Sequence, residues 1–249
     1  MSRSRVLAAD LPWSAAHPDR TRIAVLSPSG VVSVLAVGSP RALPALLADL
    51  ATPDAHILLD IPIRGCTGRD SFRPVDRRLA SVGIPVLPWT GAGPRGAGLA
   101  RAIRRRLPHA IVDEVYPYAI LRVLWALVRT RSLAALRAGA IDGRVEPGWR
   151  RWPPPYKRAP TRTTRLRALA RVRRILEDPA LGLAFEPPLP RLREAGSLAR
   201  LGDCYDATLA LVPGLLGLGH PAVYRAGEPR RGAVLLLADA WLRRRLAGG

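Results

Sequence analysis

Short apolar runs separated by turn residues fill the first half of the chain and predict β-strands. The second and third runs are joined by Ser27-Pro28-Ser29-Gly30, a turn sequence typical of a β-hairpin. A late apolar run also predicts a strand near the C-terminus. The predicted strands span residues 6–9, 23–26, 31–37, 56–63, 110–116 and 233–237, and residues 84–87 are expected to be extended.

Leucines at helical spacing then predict helices between and after these strands. In the first helix Ser39 is the expected N-cap, Pro40 the first helical residue and Leu50 the end. The Gly-rich residues 90–98 are expected to form a flexible loop, and residues 142–162 a Pro/Arg/Trp-rich loop. Thr163 or Thr164 is the expected cap of a later helix. The helix that begins at this cap is expected to end at residue 176. The other predicted helices are 74–82, a basic helix that ends at 106, one or two helices over 118–138, and 200–216.

This order of elements predicts an α/β fold. Three strands in an antiparallel meander are followed by βαβ units, which gives a mixed sheet with helices on both faces. We expect a single domain over residues 1–249, since no internal repeat is visible and 249 residues can form one large core.

Composition excludes several classes of protein. Hydrophobic residues make up 48% and charged residues 23%, which is typical of a globular chain rather than a disordered one. Two cysteines, Cys66 and Cys204, are too few for a disulfide scaffold or a CxxC zinc site. No apolar segment approaches the roughly 20 residues of a membrane span, so we expect no membrane association and a cytoplasmic location.

The charge of the chain is strongly positive. There are 39 basic and 19 acidic residues, which gives a net charge of +20. A field of this sign favours polyanions, and nucleic acid is the expected partner. GC-rich codons are an alternative explanation, because they enrich Arg without a functional cause.

Acidic residues at the ends of apolar strands are the main chemical signal. Asp10 follows the first run, Asp60 lies inside Leu58-Leu59-Asp60-Ile61-Pro62, and Glu114 follows Ile111-Val112-Asp113. Carboxylates are rarely buried without a partner or a metal ion. If these strands are neighbours, their carboxylates converge and require a cation, and oxygen ligands favour Mg²⁺ or Mn²⁺.

The segment Gly202-Asp203-Cys204-Tyr205-Asp206 adds two more acids on one helix face. Asp203 alone fits a helix cap. A cap does not explain Asp206, which precedes an apolar helix interior. Each acid taken singly fits a cap, a salt bridge or a turn, whereas the set favours a metal site.

Together, these segments resemble a bacterial family of predicted nucleases in the RNase H-like superfamily, catalogued as domain of unknown function family 429. The resemblance rests on Asp10, the LLDIPI strand, Arg73-Pro74-Val75-Asp76, Glu114-Val115-Tyr116-Pro117, the Lys157 segment and the GDCYDATLA helix. That helix is also similar to the corresponding helix of the junction-resolvase branch.

The resemblance implies an RNase H-like fold and hydrolysis of phosphodiesters by a two-metal-ion carboxylate site. It implies Asp10, Asp60, Glu114 and Asp206 as catalytic residues. Asp10, Asp60, Asp203 and Asp206 would bind Mg²⁺ or Mn²⁺, and Arg73 would contact nucleic acid.

Residues 147–176 contain no acid and interleave arginines with aromatic rings. Arginines would contact phosphates and exposed rings would stack on unpaired bases. The alternative is a stiff loop whose rings cover the core and whose arginines are solvated. The expected nucleic-acid contacts in this segment are Arg150, Arg151, Trp152, Lys157, Arg158 and Arg162. As the one lysine of the chain, Lys157 would place a compact ammonium near phosphate or near carboxylates.

The leading hypothesis is therefore a metal-dependent nuclease. The alternatives are a catalytically inactive RNase H-like protein that binds nucleic acid or a partner, and a member of the related sugar-kinase and actin-like class. That class clamps nucleotide between two such domains, for which this chain is too short.

Overall fold

A computed structural model describes most of the chain. The described residues are 5–12, 20–38, 40–66, 71–88, 93–190, 192 and 198–248. The predicted cap Ser39 and residues 90–92 of the predicted Gly-rich loop lie outside them.

A mixed six-stranded sheet forms the centre of the fold. Its strands are β1 (Val6–Asp10), β2 (Arg22–Leu26), β3 (Val31–Ala36), β4 (His56–Asp60), β5 (Ile111–Glu114) and β6 (Ala184–Phe185). They lie in the order β5-β4-β1-β2-β3-β6. The strands β1, β2 and β3 form the expected antiparallel meander, β4 is parallel to β1, and β5 is parallel to β4. The structure thus confirms the α/β class with a mixed sheet.

Helices surround this sheet. In the described residues they are α1 (Leu43–Leu50), α2 (Pro74–Ser81), α3 (Gly93–Arg106), α4 (Pro117–Arg129), α5 (Val145–Trp149), α6 (Arg162–Leu176), α7 (Leu198–Leu216) and α8 (Ala240–Ala247). None of the described helices is long and apolar enough to cross a membrane.

Strand alternation divides the core into two layers. Leu7 and Leu59 point to a layer that they share with residues of α1 and α3. Ala8 and Leu58 point to the opposite layer, which contains residues of α4 and α7. Because successive side chains of a strand point to opposite faces of the sheet, every second residue of a strand packs in the same layer.

Helix α7 lies directly on β1, β2 and β4. Gly214 permits this close approach, because a Cβ at that position would lie 2.4 Å from Cγ1 of Val6. Gly214 thus packs over the start of β1, whereas the earlier turn of α7 that carries Asp206 lies at the strand ends with Asp10 and Asp60.

A hairpin near the C-terminus was predicted only in part. Strand β8 (Gly232–Leu237) coincides with the late apolar run, but its partner β7 (Val223–Glu228) was not expected. A single bridge between Val115 and Leu235 places β8 beside the end of β5. The mixed burial of β7 explains the miss, since it carries exposed Arg225 and Glu228 in place of a continuous apolar run.

Several predicted boundaries are also corrected. Thr161 caps α6 by accepting a hydrogen bond from the Thr164 amide, so the predicted caps Thr163 and Thr164 lie inside the helix. Residues 93–98 of the predicted flexible loop belong to α3. The predicted loop at 142–162 contains α5, and residues 84–87 form no strand.

Candidate metal centre

Two neighbouring parallel strands each end on an aspartate. In the register of β1 and β4, Asp10 lies directly opposite Asp60. Each lies two residues after a residue of the α7 layer, Ala8 or Leu58, so both carboxylates point to the side of the sheet that α7 covers. The sheet therefore places two carboxylates side by side.

Helix α7, which packs on this face of the sheet, contributes a third carboxylate, that of Asp206. One oxygen from each of Asp10, Asp60 and Asp206 lies within 4.8 Å of the other two. All three residues are buried, with exposed fractions of 5%, 7% and 5%. A buried triad of carboxylates could thus hold a metal ion, and we call it the acidic triad.

The acidic triad is short of compensating charge. Burial, opposed by Lys157 and reinforced by Asp206 and Asp203, raises the pKa of Asp10 to about 7. Burial and the neighbouring Asp10 raise the pKa of Asp60 well above its ordinary value. The Oδ1 atom of Asp60 is buried and accepts no hydrogen bond from the described part of the chain.

The Pro-rich segment before α6 contributes the residues that contact Asp206. The Tyr156 hydroxyl donates a hydrogen bond to Asp206, and the Lys157 ammonium forms an ion pair with the same carboxylate. Lys157 also lies 3.3 Å from Asp203 and 3.7 Å from Asp10. Of the two surroundings expected for Lys157, phosphate or carboxylates, the structure places its ammonium among carboxylates.

Asp203 lies beside the triad and outside it. It accepts two hydrogen bonds from Arg20, at 2.7 and 2.9 Å, in addition to the Lys157 contact. The spacing of Asp203 and Asp206 predicted a shared helix face. Arg20 gave no signal in the sequence.

Glu114, expected to be catalytic, lies on the other side of the sheet. In the β4–β5 register it lies opposite Leu59, so its side chain points, as that of Leu59 does, to the side of the sheet that α1 and α3 cover. Its carboxylate accepts hydrogen bonds from Arg73, at 2.5 and 2.7 Å, and from the Ile63 amide at 3.1 Å. Burial raises its pKa, against the opposing effect of Arg73. Glu114 is therefore not one of the three carboxylates of the acidic triad, and its catalytic role stays a prediction.

Arg73, predicted to contact nucleic acid, is buried beside Glu114. It is 3% exposed and bridges Asp76 and Glu114. Its five N–H groups are all used, since the remaining donor reaches the Arg64 carbonyl. We call Arg73, Asp76 and Glu114 the arginine cluster.

The other predicted nucleic-acid contacts lie on the surface. Trp152 is 53% exposed, and the Arg122 guanidinium stacks 3.7 Å from its ring centre. By contrast, Trp149 is buried and donates to the Val82 carbonyl, as expected for a ring that covers the core. The exposed arginines of this set are Arg150, Arg151, Arg158 and Arg162.

A cavity of about 520 Å³ opens over the acidic triad. Asp10, Asp60 and Asp206 line one side of it, and Lys157 and Arg158 also line it. Apolar residues form much of the remaining wall, among them Leu11, Pro12, Pro85, Val86, Leu87 and Pro117. The volume lies within the range of about 300–1,000 Å³ that is usual for small-molecule sites.

No family model, curated protein or solved structure matches the chain.

The donor set fits a hard divalent cation. It consists of carboxylate oxygens, which are the ligands that Mg²⁺ and Mn²⁺ prefer. Lys157 and Arg20 are the cations that ion-pair with Asp10, Asp203 and Asp206 in the described residues, whereas Asp60 has no such partner there. Burial and the repulsion between neighbouring carboxylates raise the pKa values of Asp10 and Asp60, and a bound divalent ion would offset both effects.

Proposed function

We propose that the protein is a divalent-metal-dependent nuclease of the RNase H-like kind, which hydrolyses phosphodiester bonds of nucleic acid. The observation that carries the proposal is the acidic triad, with the unpartnered oxygen of Asp60, at the base of an accessible cavity. Burying such a charge lowers the stability of the fold unless a cation binds next to it.

The order of the strands supports the superfamily assignment. An antiparallel meander β3-β2-β1 extended by parallel β4 and β5 has the arrangement that the resemblance implies. Acids at the ends of β1 and β4 and on α7 are the residues on which that resemblance rests.

The roles of the residues follow from their positions. Asp10, Asp60 and Asp206 would hold Mg²⁺ or Mn²⁺, which when bound supplies Lewis-acid activation of water and stabilises charge on a phosphodiester. Arg158 lies at the cavity and would attract the phosphate backbone. Tyr156 orients Asp206 by donating to one carboxylate oxygen, which leaves the other to Lys157.

A catalytically inactive protein that binds nucleic acid is the second candidate. The observation that favours it is Lys157, whose ammonium contacts Asp206 and can replace part of the charge of a metal ion. In that case the exposed arginines near Trp152 would bind phosphate without cleavage.

A cleavage panel separates the two functions. Labelled single-stranded, duplex, hybrid and branched substrates are incubated with Mn²⁺, Mg²⁺ or EDTA, with wild type beside Asp60→Asn. Glu114→Gln is the matched control, because this buried carboxylate lies on the opposite side of the sheet.

We expect metal-dependent cleavage by wild type and by Glu114→Gln, and none by Asp60→Asn. Salt-sensitive binding of one substrate without cleavage would favour the inactive binding protein. Equal cleavage by wild type and Asp60→Asn would show that the acidic triad is not the reaction centre.

A further inference from the structure

The ammonium of Lys157 occupies one side of the acidic site. It is ion-paired with Asp206, lies 3.3 Å from Asp203 and 3.7 Å from Asp10. Asp60 is not among the carboxylates within ion-pair distance of it in the described residues. The lysine charge is therefore placed toward Asp203 and Asp206, and the region next to Asp60 is left uncompensated.

The protein holds this lysine in place through its neighbours. The stem of Lys157 packs over Gly202 of α7, where an added Cβ would lie 3.5 Å from the lysine Cγ. Tyr156 is anchored to Asp206 through its hydroxyl, and its carbonyl accepts a hydrogen bond from Nε of Arg165 in α6. Lys157 therefore approaches the carboxylates from a fixed segment, with its side chain 34% exposed.

The residue type also fits a cation role. Lys157 is the only lysine in a sequence that otherwise uses arginine for its basic side chains. An ammonium is a compact point charge, whereas a guanidinium is a planar group with a fixed fork of donors. The compact group can approach three carboxylates, as a metal ion does.

We propose that Lys157 takes the place of one of the two cations of a two-metal site. The centre then binds a single divalent ion at Asp10, Asp60 and Asp206, and the ammonium neutralises the Asp203–Asp206 side. This inference deepens the proposed function and rests on its metal site, but it concerns the number of ions rather than the reaction. Lys157 would position Asp206 and supply fixed positive charge, without exchanging with solvent as an ion does.

Titration of the metal-free protein with Mn²⁺ alone tests the proposal. Isothermal calorimetry and the electron paramagnetic resonance signal of free Mn²⁺ give the number of ions bound per chain. The variants are Lys157→Met, which removes the charge and keeps a stem of similar length, and Lys157→Gln as a polar second choice. Arg158→Met is the matched control, since it removes a positive charge from the same cavity.

We expect one Mn²⁺ per chain for wild type and for Arg158→Met. We expect two for Lys157→Met and Lys157→Gln, the second ion binding at the position of the ammonium, next to Asp206 and Asp10. In a cleavage assay the dependence of rate on Mn²⁺ concentration would change from first to second order in these variants.

Two ions in wild type would overturn this inference and leave the proposed nuclease intact. One ion in both lysine variants, folded as judged by circular dichroism, would overturn it as well. If wild type bound no ion and Lys157→Met bound one, the lysine would fill the centre by itself. That outcome would overturn both the inference and a metal-dependent function.

Discussion

Two buried ionic clusters lie near the ends of neighbouring strands of one sheet and compensate their buried charges differently. In the arginine cluster, Arg73 uses all five donors, and every carboxylate oxygen of Asp76 and Glu114 accepts a hydrogen bond. In the acidic triad, Asp60 retains an oxygen with no donor in the described residues. Both clusters contain more carboxylates than cations, so net charge does not separate them. The difference is that the acidic triad has a buried carboxylate oxygen that accepts no hydrogen bond from the described residues, whereas the arginine cluster has none.

The largest expected effect comes from removing the cation of the arginine cluster. Arg73→Met leaves Asp76 and Glu114 buried without their partner, and loss of one member of a buried ion pair costs about 3–5 kcal/mol. Urea denaturation should show the free energy of unfolding falling by this amount. The exposed Arg150→Met is the control, with an expected change within about 0.5 kcal/mol. A loss no larger than that of the control would contradict the structural role of Arg73.

Neutralising one carboxylate in each cluster should change stability in opposite directions. Glu114→Gln weakens charge-assisted hydrogen bonds from Arg73 and should cost about 1–3 kcal/mol. Asp60→Asn removes a buried charge that has no ion-pair partner among the described residues, and should stabilise the metal-free protein by about 1 kcal/mol. Urea denaturation in EDTA at pH 8 measures both. Destabilisation by Asp60→Asn in EDTA would mean that its charge is already compensated.

Mn²⁺ affinity should depend on pH through the acidic triad. Below the raised pKa of Asp10, about 7, this residue is protonated in the metal-free protein, and ion binding must release the proton. Affinity should therefore rise about tenfold from pH 5.5 to pH 6.5 for each proton released, and the part of this rise that is due to Asp10 should level off above pH 7. Calorimetry in buffers of different ionisation enthalpy measures both the affinity and the proton release.

The stability of the metal-free protein should show the opposite trend. A carboxyl whose folded-state pKa is raised binds more protons in the folded than in the unfolded state. Its stabilising contribution is present below about pH 4 and is lost as the pH rises to about 7. Saturating Mn²⁺ should offset this loss, and an unchanged pH profile in Asp10→Asn would rule out Asp10 as its source.

The smallest effect is expected from exposed charges outside both clusters. Replacing Arg150 and Arg151 by Ala should weaken binding of single-stranded nucleic acid and lower the slope of log affinity against log salt by about 1.4. The number of Mn²⁺ ions bound should not change. An unchanged salt slope would remove this segment from the binding surface.

The sequence alone predicted much of the sheet and of the acidic site. Apolar runs marked β1 to β5, because a strand buried in a sheet core excludes polar side chains over its length. Asp10 follows such a run and Asp60 lies within one, and the spacing of Asp203 and Asp206 placed them on one helix face. These are local properties, so one sequence is sufficient to predict them.

Only the tertiary structure decided which charged residues meet. Glu114 follows an apolar run as Asp10 does, yet the β4–β5 register turns it to the opposite side of the sheet, toward Arg73. Lys157 and Arg20 reach the acids from segments distant in sequence, which no local pattern encodes. Strand register and the packing of distant segments are set by the free energy of the whole fold. Which cation lies next to which buried carboxylate is therefore known only from the tertiary structure.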